Sequence, residues 1–168
     1  MISIIITAFK ESETIGRAIE AVLNQVLLKD TEIIVVAPDK ETEKIVKKFK
    51  QVIYIKDPGE GKPKALNIAF KVAKGDILVL TDGDVFLDNK SIIEILKPFK
   101  NKEVGIVSGR PISLNPRTNR WGYYSHLLTD IGAHYTRLRR TQAKKMIVCS
   151  GYLYAFRNGI ISEIPSEA

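Results

Sequence analysis

Four short aliphatic runs, separated by segments of helical periodicity, constrain this chain more than any other feature. They lie at Ser3 to Ala8, Glu32 to Val36, Val52 to Ile55 and Asp76 to Thr81. Ile33-Ile34-Val35-Val36 and Ile77-Leu78-Val79-Leu80 are apolar at consecutive positions, so neither face of these strands suits water. Such strands belong to parallel sheets covered by helices on both sides. Between them, Ser12 to about Gln25 carries Ile15, Ala18, Ile19, Val22 and Leu23 at helical spacing, with Ser12 read as its cap. Lys40 to Lys50 and Lys62 to Ala73 repeat the pattern, and Gly75 is read as a left-handed cap closing the latter. The expected fold class is α/β, a three-layer, doubly wound, open and mostly parallel sheet with helices on both faces.

Beyond Thr81 the pattern predicts a helix from Asn89 or Ser91 to near Pro98 and a fifth strand over Val104 to Ser108. Arg110 to Arg120 reads as a loop, and Trp121 to Gln142 as one long helix interrupted near Gly132. Met146 to Cys149 and Tyr152 to Phe156 read as strands, and Gly159 to Ile164 as the start of a helix. No linker divides residues 1–168, so a single domain is expected. The abrupt close at Pro165-Ser166-Glu167-Ala168 is what a domain lacking its C-terminal portion would show.

The net charge of +7 favours an acidic partner. The excess is local: Arg110, Arg117, Arg120, Arg137, Arg139 and Arg140, with Lys144 and Lys145, face the single carboxylate Asp130 in that stretch. This basic region suits a phosphate-bearing acceptor or an anionic membrane surface. It lacks regular aromatic interleaving and any reader motif, so nucleic acid is not expected as a partner. One cysteine, Cys149, rules out an intrachain disulfide and agrees with a reducing, cytoplasmic setting. The short run Ile2-Ser3-Ile4-Ile5-Ile6 has no basic leader and reads as a strand rather than a signal peptide. No run approaches the roughly 18 apolar residues that mark a membrane helix.

Chemistry is expected at the carboxyl ends of the strands. Leu80-Thr81-Asp82-Gly83-Asp84-Val85 ends a buried strand in two carboxylates, which in extended backbone project to one side. Hard oxygen donors so placed suit Mg²⁺ or Mn²⁺, and the cation would carry the oxygens of a diphosphate. A polar turn after a strand would read the same way. Gly59-Glu60-Gly61-Lys62-Pro63-Lys64 leads into a helix whose free amides, with Lys62, make a plausible phosphate site; a capped helix after a solvated loop is the plainer reading. Thr7-Ala8-Phe9-Lys10-Glu11 follows the first strand, where polar and aromatic groups suit a base and ribose. His126 and His134 have no partner at zinc-ligand spacing.

Taken in order, these segments resemble the family 2 glycosyltransferases, which use the nucleotide-diphospho-sugar transferase (GT-A) fold. Ser3 to Glu11 looks like that family's opening strand and its P-T/A-Y-N-E segment. Gly61-Lys62 with Ala65-Leu66-Asn67 is similar to its G-K-x-x-A-L-N helix. Gly75-Asp76 with Thr81-Asp82-Gly83-Asp84 is similar to its G-D…D-x-D strand, and Gly151 through Ala155-Phe156-Arg157 to its G-x-x-x-A-x-R segment. The resemblance implies that Thr7, Ala8 and Glu11 line a nucleotide pocket and that Lys62 lies near base or phosphates. It implies that Asp82 meets ribose or metal, that Asp84 ligates the metal, and that Gly151 sits by donor sugar or acceptor. Ala37-Pro38-Asp39 stands where the family has an aspartate pair that binds the base, and Asp39 is the candidate substitute. The family's catalytic base would lie beyond Ala168, with Glu163 and Glu167 as stand-ins.

The expected activity is transfer of a sugar from a nucleoside-diphosphate sugar to an acceptor hydroxyl, metal-dependent and inverting, the acceptor being a saccharide or a lipid phosphate. Two alternatives compete. A sugar nucleotidyltransferase would want a glycine-rich loop after the first strand, where Thr7-Ala8-Phe9-Lys10 has no glycine. A non-catalytic nucleotide- or anion-binding module would rest on charge alone.

Overall fold

The computed structural model describes residues 1–25, 30–146 and 148–165. Six strands form one sheet in the order β3-β2-β1-β4-β6-β5. β1 (Ile2–Thr7) lies between β2 (Thr31–Ala37) and β4 (Ile77–Asp82), and β3 (Val52–Lys56) extends the β2 edge, all parallel. β6 (Leu153–Arg157) runs antiparallel to β4 on one side and to β5 (Ile106–Ser108) on the other. The expected α/β class with a largely parallel sheet is what the chain adopts. β6 is the exception, and it needs no helical crossover to return beside β4.

The side-chain period of two sorts the core. Ile4, Ile6, Ile33, Val35 and Val79 face α1 (Ile15–Leu23), α2 (Lys40–Val46) and α4 (Ser91–Leu96). Ile5, Ile34, Val36, Leu78 and Leu80 face α3 (Lys62–Val72), whose Ala65, Leu66 and Ala69 permit close approach. Every one of these strand positions is 3% exposed or less, which is why consecutive apolar residues were needed. A 3₁₀ turn, Lys97–Lys100, follows α4. α5 (Arg120–Leu127), a π-wound segment (Leu128–Tyr135) and α6 (Thr136–Gln142) form a continuous helical arm between β5 and β6. Asn119 caps the arm by accepting from the Gly122 amide at 2.9 Å.

Several expectations are corrected. α1 starts at Ile15, because Glu11 to Thr14 close a turn in which the Thr14 and Ile15 amides both donate to the Glu11 carbonyl. Ser12 therefore caps nothing. Gly75 is not among the residues with positive φ; its role is steric, since a Cβ there would meet the backbone of Ser3. Met146, Val148 and Cys149 are in no strand, since β6 already has partners on both sides and the Ser150 amide is held by Ser108 Oγ at 2.8 Å. Gly159 to Ile164 is not helical. It lies along the α3 face, where the Asn67 amide group donates to the Ile164 carbonyl and accepts from its N–H, both at 2.8 Å. The expected interruption near Gly132 is present as the π-wound stretch that separates α5 from α6, and the helical course of the arm continues through it.

Candidate functional site

Parallel strands deliver their carboxyl ends to one edge of a sheet, and ligands in open α/β folds bind there. At that edge a cavity of about 340 Å³ is walled by the ends of β1, β2, β3 and β4 and the start of α3. Thr7, Ala8, Glu11, Lys62, Asp82 and Asp84 all line it. The structure thus gathers most of the residues singled out from the sequence into one place. The i, i+2 spacing of Asp82 and Asp84 brings both carboxylates to the same cavity.

Register explains the position of Asp82. It pairs with Thr7 across the β1–β4 ladder, and Thr7 Oγ1 donates to Asp82 Oδ1 at 3.0 Å. The ammonium of Lys62, from the first turn of α3, donates to the same oxygen at 2.5 Å. Gly83 carries the ladder one step further through its N–H to the Thr7 carbonyl at 2.9 Å, and the chain turns at Asp82 to Val85. The segment that follows is pinned by a cation–π contact, the Arg17 guanidinium lying 4.0 Å from the Phe86 ring centroid. Asp84 is exposed and makes no side-chain hydrogen bond or ion pair among the described residues.

Glu11 is the electrostatic centre of the site. Its Oε2 is buried with no hydrogen-bond partner among the described residues. It occupies space that only a glycine at position 83 leaves free: a Cβ there would come within 2.3 Å of that oxygen. Burial, followed by the charges of Asp84 and Asp82, pushes the Glu11 carboxyl up to about 7. A carboxyl so raised binds a proton in the folded chain that it has lost in the unfolded one between about pH 4.5 and 7. Its contribution to stability therefore falls as pH rises through that window and stays unfavourable above it. Glu11→Gln is expected to raise the Tm by a few degrees at pH 8, on the scale where about 1 kcal/mol moves a protein of this size by about 2–4 °C. The gain should vanish below about pH 4.5, where both carboxyls are neutral. Paired thermal melts at pH 8 and pH 4.5 check this, and an equal gain at both would remove the electrostatic account.

The donor set fits a hard divalent cation that keeps other ligands. Among the described residues no three His, Cys, Asp or Glu side chains are gathered as a ready metal cage. A cation held by one or two carboxylates and completed by substrate phosphates and water needs no such cage, and that is how Mg²⁺ is ordinarily bound. Asp84 and Asp82 would hold it, with the orphaned Glu11 oxygen beside them.

Other predicted residues lie elsewhere. Asp39 does not line the cavity, although its neighbour Pro38 does. Its carboxylate caps α2 by accepting from the Thr42 amide at 2.9 Å and ties down the β1–α1 loop by accepting from the Lys10 amide at 2.9 Å. Burial alone would raise its pKa, but those amides outweigh it and hold the group below the usual range. Gly151 stands just before β6, at the same edge as Asp82 because β6 is antiparallel, yet outside the cavity wall. Glu163 is exposed and also outside it, and Glu167 lies outside the described residues. Sequence reading missed Asp57, a buried carboxylate that directly follows β3, lines the cavity and accepts from the Gly59 amide at 2.6 Å. The turn dipeptide Pro58-Gly59 right after a strand was the available signal.

Comparison with known proteins agrees with this fold. The sequence model described as Glycosyl transferase family 2 matches residues 3–164. A poly(ribitol-phosphate) beta-glucosyltransferase of Bacillus spizizenii is 25% identical over 69% of this chain and 20% of its own length. A hyaluronan synthase of Streptococcus pyogenes is 26% identical over 61% of this chain and 24% of its own. Among solved structures, a mannosyltransferase from Pyrobaculum calidifontis in complex with GDP-Man and Mn²⁺ superposes with a TM-score of 0.76 at 21% identity, covering 99% of this chain and 48% of that one. Glucosyl-3-phosphoglycerate synthase from Mycobacterium tuberculosis, with Mn²⁺, UDP-glucose and phosphoglyceric acid, gives 0.63 at 20% identity over 94% and 56%. The chain therefore spans a quarter or less of these curated relatives and about half of these structural neighbours.

Proposed function

This chain belongs to glycosyl transferase family 2, and from that membership we propose that it is the donor-binding domain of an enzyme moving a hexosyl group from a nucleoside-diphosphate sugar to an acceptor hydroxyl. The observation that carries the reading is the convergence of Asp82, Asp84 and Lys62 on one cavity at the carboxyl edge of the sheet.

The nucleotide would enter over Thr7, Ala8 and Pro38, with the buried carboxylate of Asp57 placed to accept from a base or ribose. Its diphosphate would meet Lys62 and the N-terminal end of α3, where Gly61 at φ 97° starts the helix without a side-chain cap and Pro63 gives up an amide that had no partner to lose. Mg²⁺ or Mn²⁺ on Asp84 and Asp82 would supply Lewis acidity to the leaving diphosphate. The Lys62 ammonium now holds Asp82 Oδ1, so it must release that oxygen as the diphosphate arrives. Such an exchange would pass Asp82 from the ammonium to the cation without leaving that carboxylate unpaired. We read the reaction as inverting, with acceptor attack from the face opposite the diphosphate. The Mn²⁺ and nucleotide sugars named with the structural neighbours support the metal and donor classes. The poly(ribitol-phosphate) and phosphoglyceric acid named with two relatives support an acceptor that carries phosphate, a lipid phosphate included, beside the plain saccharide. The unpaired Cys149 supports a cytoplasmic setting.

Calorimetric titration with UDP and with GDP, each with and without Mn²⁺, tests the reading. At least one nucleotide is expected to bind measurably tighter with the cation present. Binding of neither, or binding indifferent to Mn²⁺, would remove it.

A further inference from the structure

The helical arm from Arg120 to Gln142 is built inside out. A helix on a globular protein ordinarily buries its apolar stripe and shows polar groups to water. Here the face toward the preceding loop, residues 110–119, is polar and small. Gly122 packs so closely that a Cβ would lie 2.0 Å from the Pro116 carbonyl oxygen. Ser125 Oγ meets Ser113 Oγ at 2.8 Å, His126 Nε2 meets the Asn115 carbonyl at 2.8 Å, and Asp130 accepts from Arg110 Nη2 at 3.1 Å. The opposite face carries Trp121, Tyr124, Leu127, Leu128, Ile131 and Tyr135, each between 49% and 70% exposed. No helix among the described residues is long and apolar enough to cross a membrane.

The geometry points to this arm as a surface that lies on an anionic lipid bilayer. Charge decides the occupant. Arg117, Arg120, Arg139, Arg140, Lys144 and Lys145 are exposed along and beside the arm, and its single carboxylate, Asp130, is already neutralised by Arg110. The cations border the apolar face directly: the Arg120 guanidinium lies 5.4 Å from the Trp121 ring and that of Arg139 lies 6.0 Å from the Tyr135 ring. Trp and Tyr with basic neighbours are the composition that settles at headgroup depth. A second copy of the same face would set these arginines against themselves across a two-fold axis. A bilayer of acidic lipid buries the rings and pairs the guanidiniums together. The inference stands apart from the donor-site reading, since it uses none of the residues that line the nucleotide cavity.

Trp121 is the only tryptophan of the chain, so its emission reports on the arm alone. Titration with vesicles of phosphatidylcholine containing three parts in ten of phosphatidylglycerol is expected to shift that emission to the blue and carry the protein into the vesicle pellet. Pure phosphatidylcholine should bind at least about tenfold more weakly, as loss of several cation–headgroup attractions requires. Leu128→Ser with Ile131→Ser, and separately Arg139→Ala with Arg140→Ala, should each weaken partition by about tenfold or more. Both variants should leave far-UV circular dichroism and nucleotide titration as in the parent. An unshifted Trp121 emission, or variants that pellet like the parent, overturns the inference. So does a parent that elutes as a dimer which Ile131→Ser dissolves, since that gives the face to a second copy. An acidic protein that occupies the arm while lipid does not would also overturn it.

Discussion

Asp84→Ala is expected to abolish the Mn²⁺ response of nucleotide binding while leaving the fold intact. The side chain is exposed and has no hydrogen bond or ion pair among the described residues, so its removal should change stability by no more than about 0.5 kcal/mol. Its functional loss should be large. Partners that merely orient a metal ligand cost about 10–100-fold when removed, and a ligand itself belongs at or above the top of that range. Titrated with the nucleotide that the parent prefers, the variant should bind about 100-fold more weakly in Mn²⁺ and about equally without it. Asp82 is a poorer place for the same test. Removing its carboxylate would also free the Lys62 ammonium and the Thr7 hydroxyl, so that stability and binding would change together. A variant lacking Asp84 that answers Mn²⁺ like the parent would remove the cation from this cavity.

Gly75→Ala should damage the central sheet severely although it lies away from the cavity. The residue joins α3 to β4 where that turn crosses the start of β1. An added Cβ would lie 2.3 Å from the Ser3 amide nitrogen and 2.7 Å from the Ile2 carbonyl carbon, both backbone atoms of a central strand. Nothing there can rotate away. The neighbourhood is stitched from several directions: the Gly75 amide donates to Ser3 Oγ at 2.8 Å, the Lys74 amide to Glu32 Oε1 at 2.6 Å, and the Asp76 amide to the Met1 carbonyl at 2.9 Å. Relief of the clash must break part of that set. A loss of about 3 kcal/mol is expected, the upper end of overpacking, with a fall in Tm of about 10 °C. Gly151→Ala is the matched control, because a Cβ there meets nothing within 4 Å and its φ is not positive. It should move Tm by less than about 2 °C. Equal melting of the two variants would show that the crossing tolerates a side chain.

The two glycines also mark the limit of what could be read in advance. β1 to β4 and the helices between them were legible because burial on both faces demands consecutive apolar residues, and Ile34 or Leu78 could scarcely sit elsewhere. Asp82 and Asp84 were legible for the same reason: once β4 is a buried strand, its end is fixed. Gly75 looked like a helix cap because its neighbours in sequence suggest one, whereas its real constraint comes from Ser3, far away in the chain. Asp39 was read as a ligand group, yet its carboxylate is taken by the amides of Lys10 and Thr42, which no local pattern announces. Asp57 was missed because a carboxylate before Pro58-Gly59 looks like turn chemistry until β3 is known to end at the cavity. The long arm was legible as a helix but not as an inverted one. Periodicity locates an apolar face and leaves open which way it turns. That was settled by Ser113, Asn115 and Pro116, which meet its polar side.

The placement of β6 between β4 and β5 has a consequence for how this chain can vary. The excursion that leaves at Gly109 comes back at Ser150, and the two ends are fastened to each other by the Gly109 amide on the Leu153 carbonyl and the Ser150 amide on Ser108 Oγ, both at 2.8 Å. Everything between is therefore a cassette with a closed mouth. It can be shortened, exchanged or re-charged without loosening a rung of the ladder that presents Asp82, so the proposed nucleotide site and the proposed lipid-facing arm are free to change independently.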